Sequence, residues 1–305
     1  MSVLTLKGPR WVTVRQHRRA LWALPAAVAA SLAVVLALRW WASSPSGLRS
    51  ANPDGALRSA MDHAGTGLLL LPLLLGAFVA GPMIARELES GTYRLALTQS
   101  STPRAWLSAK ITLAAAAAVA SSAALAGVYR VGRLPLAGTH QFSWADRGPY
   151  EALGTVLVAY CLLGVAVGAL VGQLVRRTLA AMAVTGLVTG LVMAVLGAVR
   201  WSFLPVRTLT TSVVERGVPM PSGDFLMMDT GLVTASGERL PEWTCFARSG
   251  RLGVCPEDLD VTGWYLDYHP AAHYWPTQSI ETAVVLALAA LALRAAFAVL
   301  RTRHR

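Results

Sequence analysis

The sequence predicts an all-α integral membrane protein with six transmembrane helices. Its 305 residues are 54% hydrophobic and only 14% charged, whereas a soluble domain has roughly a quarter of its residues charged. The mean hydropathy of +0.50 comes from separate apolar blocks, and a helix needs about 20 apolar residues to cross a hydrocarbon core. Six blocks are long enough, at residues 21–41, 66–85, 106–129, 150–175, 178–199 and 277–300.

The blocks contain few charged side chains. Blocks two and five have no Asp, Glu, Lys or Arg, and neither do the stretches 21–38 and 152–175. A charge at mid-bilayer costs on the order of 3 kcal/mol, so the absence of charged residues from these stretches favours membrane insertion. Lys110 and Arg294 lie near a block end, where a long side chain reaches the headgroups. We therefore assign these two residues no transport role.

The first block is longer than the core of a signal peptide, which is usually about 7 to 15 residues. It ends with Arg39, Trp40 and Trp41, a combination typical of the membrane interface. We expect an uncleaved first span, preceded by a cytoplasmic interfacial segment at residues 1–20.

The distribution of Lys and Arg predicts the orientation. With the N-terminus inside, the short cytoplasmic loops and tails carry most of the excess behind the net charge of +11, and Glu87 and Glu89 are their only acidic residues. This positive-inside bias places both termini in the cytoplasm of a multi-pass protein of the cell membrane. Because short loops carry the charge, we expect no nucleic-acid partner.

The remaining domain boundaries follow from this topology. Spans one to five occupy residues 21–199, and span six with a basic cytoplasmic tail occupies residues 277–305. Between them lies an extracellular loop at residues 200–276, which is too long for a simple connector, so we expect it to be structured. Its sequence FLMMDTGLVTASGERL alternates around Ser236-Gly237 and indicates a hairpin.

Two features of this loop bear on its chemistry. Cys245 and Cys255 flank a turn signal in an oxidising compartment, so we predict a disulfide; two free thiols are the alternative. The stretch WYLDYHPAAHYWP before the last block is typical of a membrane interface or a short re-entrant helix. His269 and His273 lie four apart within it, but Pro270 separates them and no H-E-x-x-H is present, so we predict no metal site.

Glycines recur at every fourth position in two blocks. Block four has Gly164, Gly168 and Gly172, and block five has Gly186 and Gly190. This spacing lets helix backbones approach closely. The sequence leaves two interfaces open, one within the subunit and one between subunits.

The segment between blocks two and three has an ordered series of signals. A helix can continue from block two, with Arg86 and Glu89 close enough on one face to pair, and Ser90-Gly91 can end it in a left-handed cap. Thr92 can start a short helix. Thr102 followed by proline is a second start signal, which opens span three.

The run ARELESGTYRLALTQSSTPRAWLSAK resembles the stretch after the second span in ABC type 2 exporter permeases, particularly actinobacterial ones, where R-E-x-E-x-G-T precedes a short helix and T-Q or T-P. The ending YHPAAHYWPTQSIETAVVLALAAL is similar to the approach to their last span. The resemblance implies a coupling helix at residues 92–99, within a coupling region at about 86–104, that docks into a separate ATPase. The coupling residues it implies are Arg86, Glu87, Glu89, Gly91, Thr92, Tyr93, Arg94 and Gln99.

The resemblance also implies the partners. These are two copies of an ABC ATP-binding subunit, a second permease in a homodimer or heterodimer, and membrane lipids. The only lysines, Lys7 and Lys110, lie outside any G-x-x-x-x-G-K-[ST] motif, so we expect no cofactor on this chain and place ATP and Mg on the partner. Transport would then proceed by alternating access.

The expected function is that of a non-catalytic subunit of an ATP-driven exporter for an amphipathic small molecule, antibiotic, peptide or lipid. One alternative is a membrane sensor or immunity subunit that works with an ATPase without transport. Another is an intramembrane enzyme, but the sequence has no G-x-S-x-G, no H-E-x-x-H and no paired acidic residues inside a span.

Overall fold

The computed structural model divides the chain into two compact units. The helical unit comprises residues 1–137, 147–200 and 278–305, and the strand unit comprises residues 138–146 and 201–277. The described residues are 9–16, 18–48, 52, 54–98, 102–136, 143–212, 217–251 and 254–303.

Within the described residues, six helices are long and apolar enough to cross a membrane. They are span one, Leu21–Ser43; span two, Gly55–Glu89; span three, Pro103–Leu136; span four, Val156–Val175; span five, Thr178–Ser202; and span six, Ala271–Thr302. This confirms a helical protein with six candidate spans. The side of the membrane on which each terminus lies stays a prediction.

Shorter helices accompany the spans. The first is an N-terminal helix that packs against span three, and in it Trp11 is half exposed with the Arg15 guanidinium 5.0 Å from its ring. The helix of span one begins at Arg18, and the last helix runs over Tyr274–Arg303 after a 3-10 turn. The short helices are Pro9–Gln16, Pro45–Leu48, Tyr93–Thr98, Arg147–Leu153 and Thr244–Ser249.

Span two has 35 residues, about three quarters more than the predicted block at residues 66–85, because its first turns bury apolar side chains despite the charged residues among them. Leu57 and Met61 are buried, whereas Asp62 and His63 are exposed. The helix widens into a π-helical segment at Leu75–Ala80. Single-turn π segments inside helices are rare, and those that do occur often lie at functional sites.

The predicted fourth block is wrong at its beginning, because it contains two helices. Arg147–Leu153 ends before Gly154, and span four starts at Val156. The Gln278 side chain of span six occupies the break. Its amide donates to Tyr150 O (2.6 Å) and accepts from Val156 N (3.2 Å), so it satisfies backbone groups that a continuous helix would have paired.

Span four lies at the centre of the helical unit, where it packs against spans two, three and five. Its glycines face span two. A Cβ on Gly164 would lie 2.6 Å from the Pro72 carbonyl oxygen, and one on Gly172 would lie 2.9 Å from that of Gly81. A Cβ on Gly168 would lie 2.8 Å from Ala80 Cβ. These three glycines therefore serve packing within the subunit.

The glycines of span five also face span two, but less tightly. A Cβ on Gly186 would meet Ala77 Cβ at 3.6 Å, an ordinary contact, and one on Gly190 would meet Leu73 Cδ2 at 3.3 Å. Neither position requires glycine as strictly as Gly164 does, because a flexible side chain can move by a few tenths of an ångström.

The strand unit is built on a four-stranded antiparallel sheet in the order β1-β4-β2-β3. The all-α expectation therefore holds for the spans and is wrong for this unit. The predicted hairpin around Ser236-Gly237 is confirmed, with Gly237 at φ +82° in its turn. The strands are β1, Arg207–Thr211; β2, Phe225–Thr234; β3, Arg239–Pro241; and β4, Val261–Pro270.

The aromatic stretch before span six belongs to this sheet. The expected interfacial or re-entrant segment is wrong as far as Pro270, because Trp264 and Tyr265 lie in β4, where Tyr265 and Leu266 are buried. Alternating and aromatic residues suit a strand as well as a membrane interface, and the sequence alone did not distinguish the two.

The strand unit contains the predicted disulfide and a histidine contact that the sequence analysis did not predict. Cys245 and Cys255 form a disulfide. His269 Nδ1 lies 2.9 Å from His273 Nδ1, and His269 Nε2 lies 3.1 Å from Trp201 O. Burial lowers the pKa of His269, so its ring favours the neutral form.

Candidate coupling site

The segment between spans two and three follows the predicted order of helix, break, short helix and helix. Span two ends at Glu89, and Gly91 at φ +73° turns the chain in the left-handed region. A short helix covers Tyr93–Thr98. Span three starts at Pro103, where the Thr102 hydroxyl accepts a hydrogen bond from Ala105 N (3.1 Å). Gln99 lies outside the described residues.

Glu87 connects the end of span two to span three. Its Oε1 accepts from Lys110 Nζ at 2.7 Å, and its Oε2 accepts from Trp106 Nε1 at 2.9 Å. Lys110 also donates to Met83 O (3.2 Å) and its side chain is only 3% exposed. The headgroup position expected for Lys110 is therefore wrong, because the lysine pairs within the chain.

Glu89 connects span two to the start of span five. Its Oε2 accepts from Thr178 N at 2.9 Å and also from the Thr178 hydroxyl. Thr178 N is an amide of the first turn, which has no partner inside the helix, and a carboxylate there also interacts favourably with the helix dipole. The Arg86–Glu89 pair expected from the sequence is absent from the ion pairs of the described residues.

The inner side of the short helix is apolar. Tyr93 packs against a cluster that includes Trp106, Leu107 and Leu300. Tyr93 and Leu97 also line a small cavity of about 50 Å³ beneath the helix, together with side chains of spans three, four and six. The short helix is thus seated on the ends of several spans.

The outer side of the segment is basic and polar around one exposed leucine. Leu95 is 64% exposed on the short helix, next to the exposed Arg94. The arginines Arg86 and Arg104 flank the helix and are exposed, as are its terminal threonines, Thr92 and Thr98. Such a surface suits a partner pocket with an apolar floor and an acidic rim.

A second group of charged residues lies at the opposite ends of the spans. Arg200 of span five donates from Nε to Glu281 Oε2 (2.7 Å) and from Nη2 to Glu281 Oε1 (2.8 Å). The same Nη2 donates to Glu151 Oε1 (2.9 Å). Glu151 belongs to the Arg147–Leu153 helix, and all three side chains are at most 3% exposed.

Sequence reasoning missed this Arg200–Glu281–Glu151 cluster. Glu281 is an acidic residue inside the sixth apolar block, and only Lys110 and Arg294 were singled out within the blocks. The available signal was the position of opposite charges at block ends, with Glu151 at the start of block four and Arg200 directly after block five. A charge inside a span is a functional-site hypothesis by default.

Together, the six apolar helices of the described residues identify a multi-pass helical membrane protein, in which a short helix lies between spans two and three. The family described as ABC-2 membrane transporter related matches residues 46–200, just over half of the chain. The chain belongs to this family, which confirms the resemblance to ABC type 2 permeases. No curated protein and no solved structure matches the chain.

Family membership fixes the class of function. ABC-2 permeases are membrane subunits of transporters, they are generally non-catalytic, and they associate with an ABC ATPase subunit. The match covers spans two to five, and thus includes the whole segment between spans two and three.

Proposed function

We propose that the chain is the permease subunit of an ATP-driven exporter in the cell membrane, with both termini in the cytoplasm. Two copies of a separate ATPase bind ATP and Mg and act on the segment at residues 86–104. A second permease, identical or homologous, completes the transporter. The cargo class we favour is amphipathic, as in an antibiotic, peptide or lipid.

One observation carries the proposal: the short helix presents an exposed Leu95 and Arg94, while the segment behind it is bonded to spans two, three and five. A partner that moves the short helix therefore acts on the end of span two, which is bonded to span three through Glu87 and to span five through Glu89. This coupling of a partner's motion to packed helices is what alternating access requires.

The contacts also divide the expected coupling residues into two groups. Both carboxylates bond within the chain, so we assign Glu87 and Glu89 to transmitting motion. Arg94 and Leu95 remain for docking, with Arg86 beside them. Gly91 provides the turn, and Tyr93 seats the helix on the spans.

The test is co-purification of the tagged chain from cells that carry its partners. Leu95→Asp places a charge at the centre of the docking surface, and we expect it to reduce the recovered ATPase at least about tenfold, as loss of a central apolar anchor does. Leu134→Asp is the matched control, because Leu134 is 67% exposed and lies at the other end of span three. It should retain the ATPase.

Retention of the complex by Leu95→Asp would contradict the docking assignment. ATP-dependent accumulation of an amphipathic fluorescent probe in inside-out vesicles then tests export. A stable ATPase complex without any such accumulation would favour the sensor or immunity subunit.

A further inference from the structure

The Arg200–Glu281–Glu151 cluster holds two carboxyl groups that differ sharply in their hydrogen bonding. Glu281 accepts four hydrogen bonds, two at each oxygen. Arg200 supplies two of them, and Tyr150 OH (3.1 Å) and Tyr160 OH (2.6 Å) supply the others. An acceptor saturated in this way is an ionised carboxylate, since a protonated oxygen would have to donate.

Glu151 has no comparable set of donors. Its Oε1 accepts from Arg200 and lies 3.5 Å from Arg147 Nε. Its Oε2 is buried and, among the described residues, has no hydrogen-bond partner. Glu151 is thus a fully buried side chain with half of its carboxyl group unsatisfied.

Charge balance points the same way. Arg200 carries one positive charge and already neutralises Glu281 at two contacts. Arg147 is half exposed and at a longer distance, so solvent weakens its effect on the buried carboxyl. A second ionised carboxylate would therefore be poorly compensated, and a buried charge without full compensation is neutralised by a proton in preference to staying ionised.

We propose that Glu151 is a proton-binding site, which holds a proton at neutral pH in this conformation while Glu281 stays ionised against Arg200. Glu151 lies outside the six spans, on the Arg147–Leu153 helix. The inference does not depend on the proposed export function, since it concerns only groups within the helical unit.

The surrounding elements bring few other charges to the carboxyl. Arg147 and Tyr150 lie on its own helix, Arg200 on span five, Tyr160 on span four and Glu281 on span six. Span two meets the helix through Gly65 against Gly148, and span three through Arg130, which donates to Leu153 O. Burial raises the pKa of Glu151 and is the larger effect; Arg200 and Arg147 lower it, and Glu281 raises it further.

The proton links pH to helix packing. Loss of the proton would place a second negative charge next to Glu281, and like charges in a shared buried site repel. The favoured response is for the Arg147–Leu153 helix to move so that water reaches Glu151. A proton on Glu151 therefore stabilises the contact of this helix with the ends of spans five and six.

Two matched variants test the proposal in purified protein. Gln is an isostere of a protonated Glu, so Glu151→Gln should keep the thermal unfolding midpoint at neutral pH within about 2 °C of the native protein or raise it. Glu281→Gln removes the ionised partner of a buried arginine and should lower the midpoint by about 6 °C or more. Equal losses in the two variants would overturn the proposal.

The pH dependence gives a second reading. A folded-state pKa above the unfolded value of about 4.3 means that the native state binds more protons, so the contribution of Glu151 to stability falls as pH rises above that value. The unfolding midpoint of Glu151→Gln should therefore rise relative to that of the native protein as the pH increases above about 4.3. A difference that does not change with pH would contradict the proposal.

Infrared spectroscopy of the native protein keeps the test decisive even if a variant fails to fold. A protonated carboxyl has a C=O stretch that shifts on exchange into D₂O. We expect this band at neutral pH, and expect Arg147→Gln to move its disappearance to higher pH. Absence of the band at neutral pH would refute proton binding.

Discussion

Replacing Gly164 by alanine tests the packing of span four against span two. The added methyl group would lie 2.6 Å from the Pro72 carbonyl oxygen and 3.4 Å from Gly76 Cα. Both neighbours are backbone, so the helices must separate to accommodate it. Overpacking a tight core costs about 1–3 kcal/mol.

The matched control is Gly127→Ala in span three. A Cβ there meets nothing within 4 Å, so only the intrinsic preference of a helix for alanine over glycine acts, which is worth about 0.5–1 kcal/mol. The same gain partly offsets the loss at Gly164. The two variants should therefore differ by the overpacking cost alone, which corresponds to a gap in unfolding midpoint of roughly 5 °C.

The assay is thermal unfolding in detergent, followed by the accessibility of a thiol or by size-exclusion recovery. Gly127→Ala should melt at or above the native midpoint and Gly164→Ala below it. Equal midpoints would refute the close approach of spans two and four.

Three further changes have defined outcomes. Lys110→Met leaves the Glu87 carboxylate without its cation and should lower the unfolding free energy by about 3 kcal/mol. Adding Glu87→Leu should restore part of this loss. If the effects of the two changes prove additive in a double-mutant cycle, the ion pair is excluded. Glu89→Ala removes the acceptor at the start of span five and should lower the unfolding midpoint, with Glu89→Gln intermediate; an unchanged midpoint would show that the carboxylate does not cap that helix. Reduction, or Cys245→Ser, should destabilise the strand unit by about 2–3 kcal/mol, and a thiol-labelling assay that finds Cys255 reactive in the native protein would contradict the disulfide.

The six spans could be predicted because membrane insertion leaves a strong local signal. Runs of about 20 apolar residues are unambiguous, and so were the breaks at Gly91 and Thr102, where turn and cap chemistry is local. The boundaries were less certain. Span two begins at Gly55, before the predicted block, and so includes charged residues. A helix can do this because it buries one face while Asp62 on another face stays exposed.

The contacts of the candidate site could not be predicted, because they join residues far apart in sequence. Glu87 and Lys110 are separated by 23 positions, and Arg200 and Glu281 by 81. Composition shows that a charge is present but not which partner neutralises it. The sheet of the strand unit was not predicted for a related reason. β4 is rich in aromatic residues, and its pairing with β1 and β2 depends on segments that are distant in the sequence.

If the proposed function holds, the position of the acidic residues determines how a partner's motion would pass through the segment at 86–104. A charged loop that only docks would present its carboxylates to the partner, yet Glu87 bonds to span three and Glu89 to span five. Moving the end of span two without span three would require breaking the largely buried Glu87–Lys110 ion pair. We therefore expect variants of Leu95 to affect ATPase binding, and variants of Glu87 to leave binding intact while uncoupling ATP hydrolysis from transport.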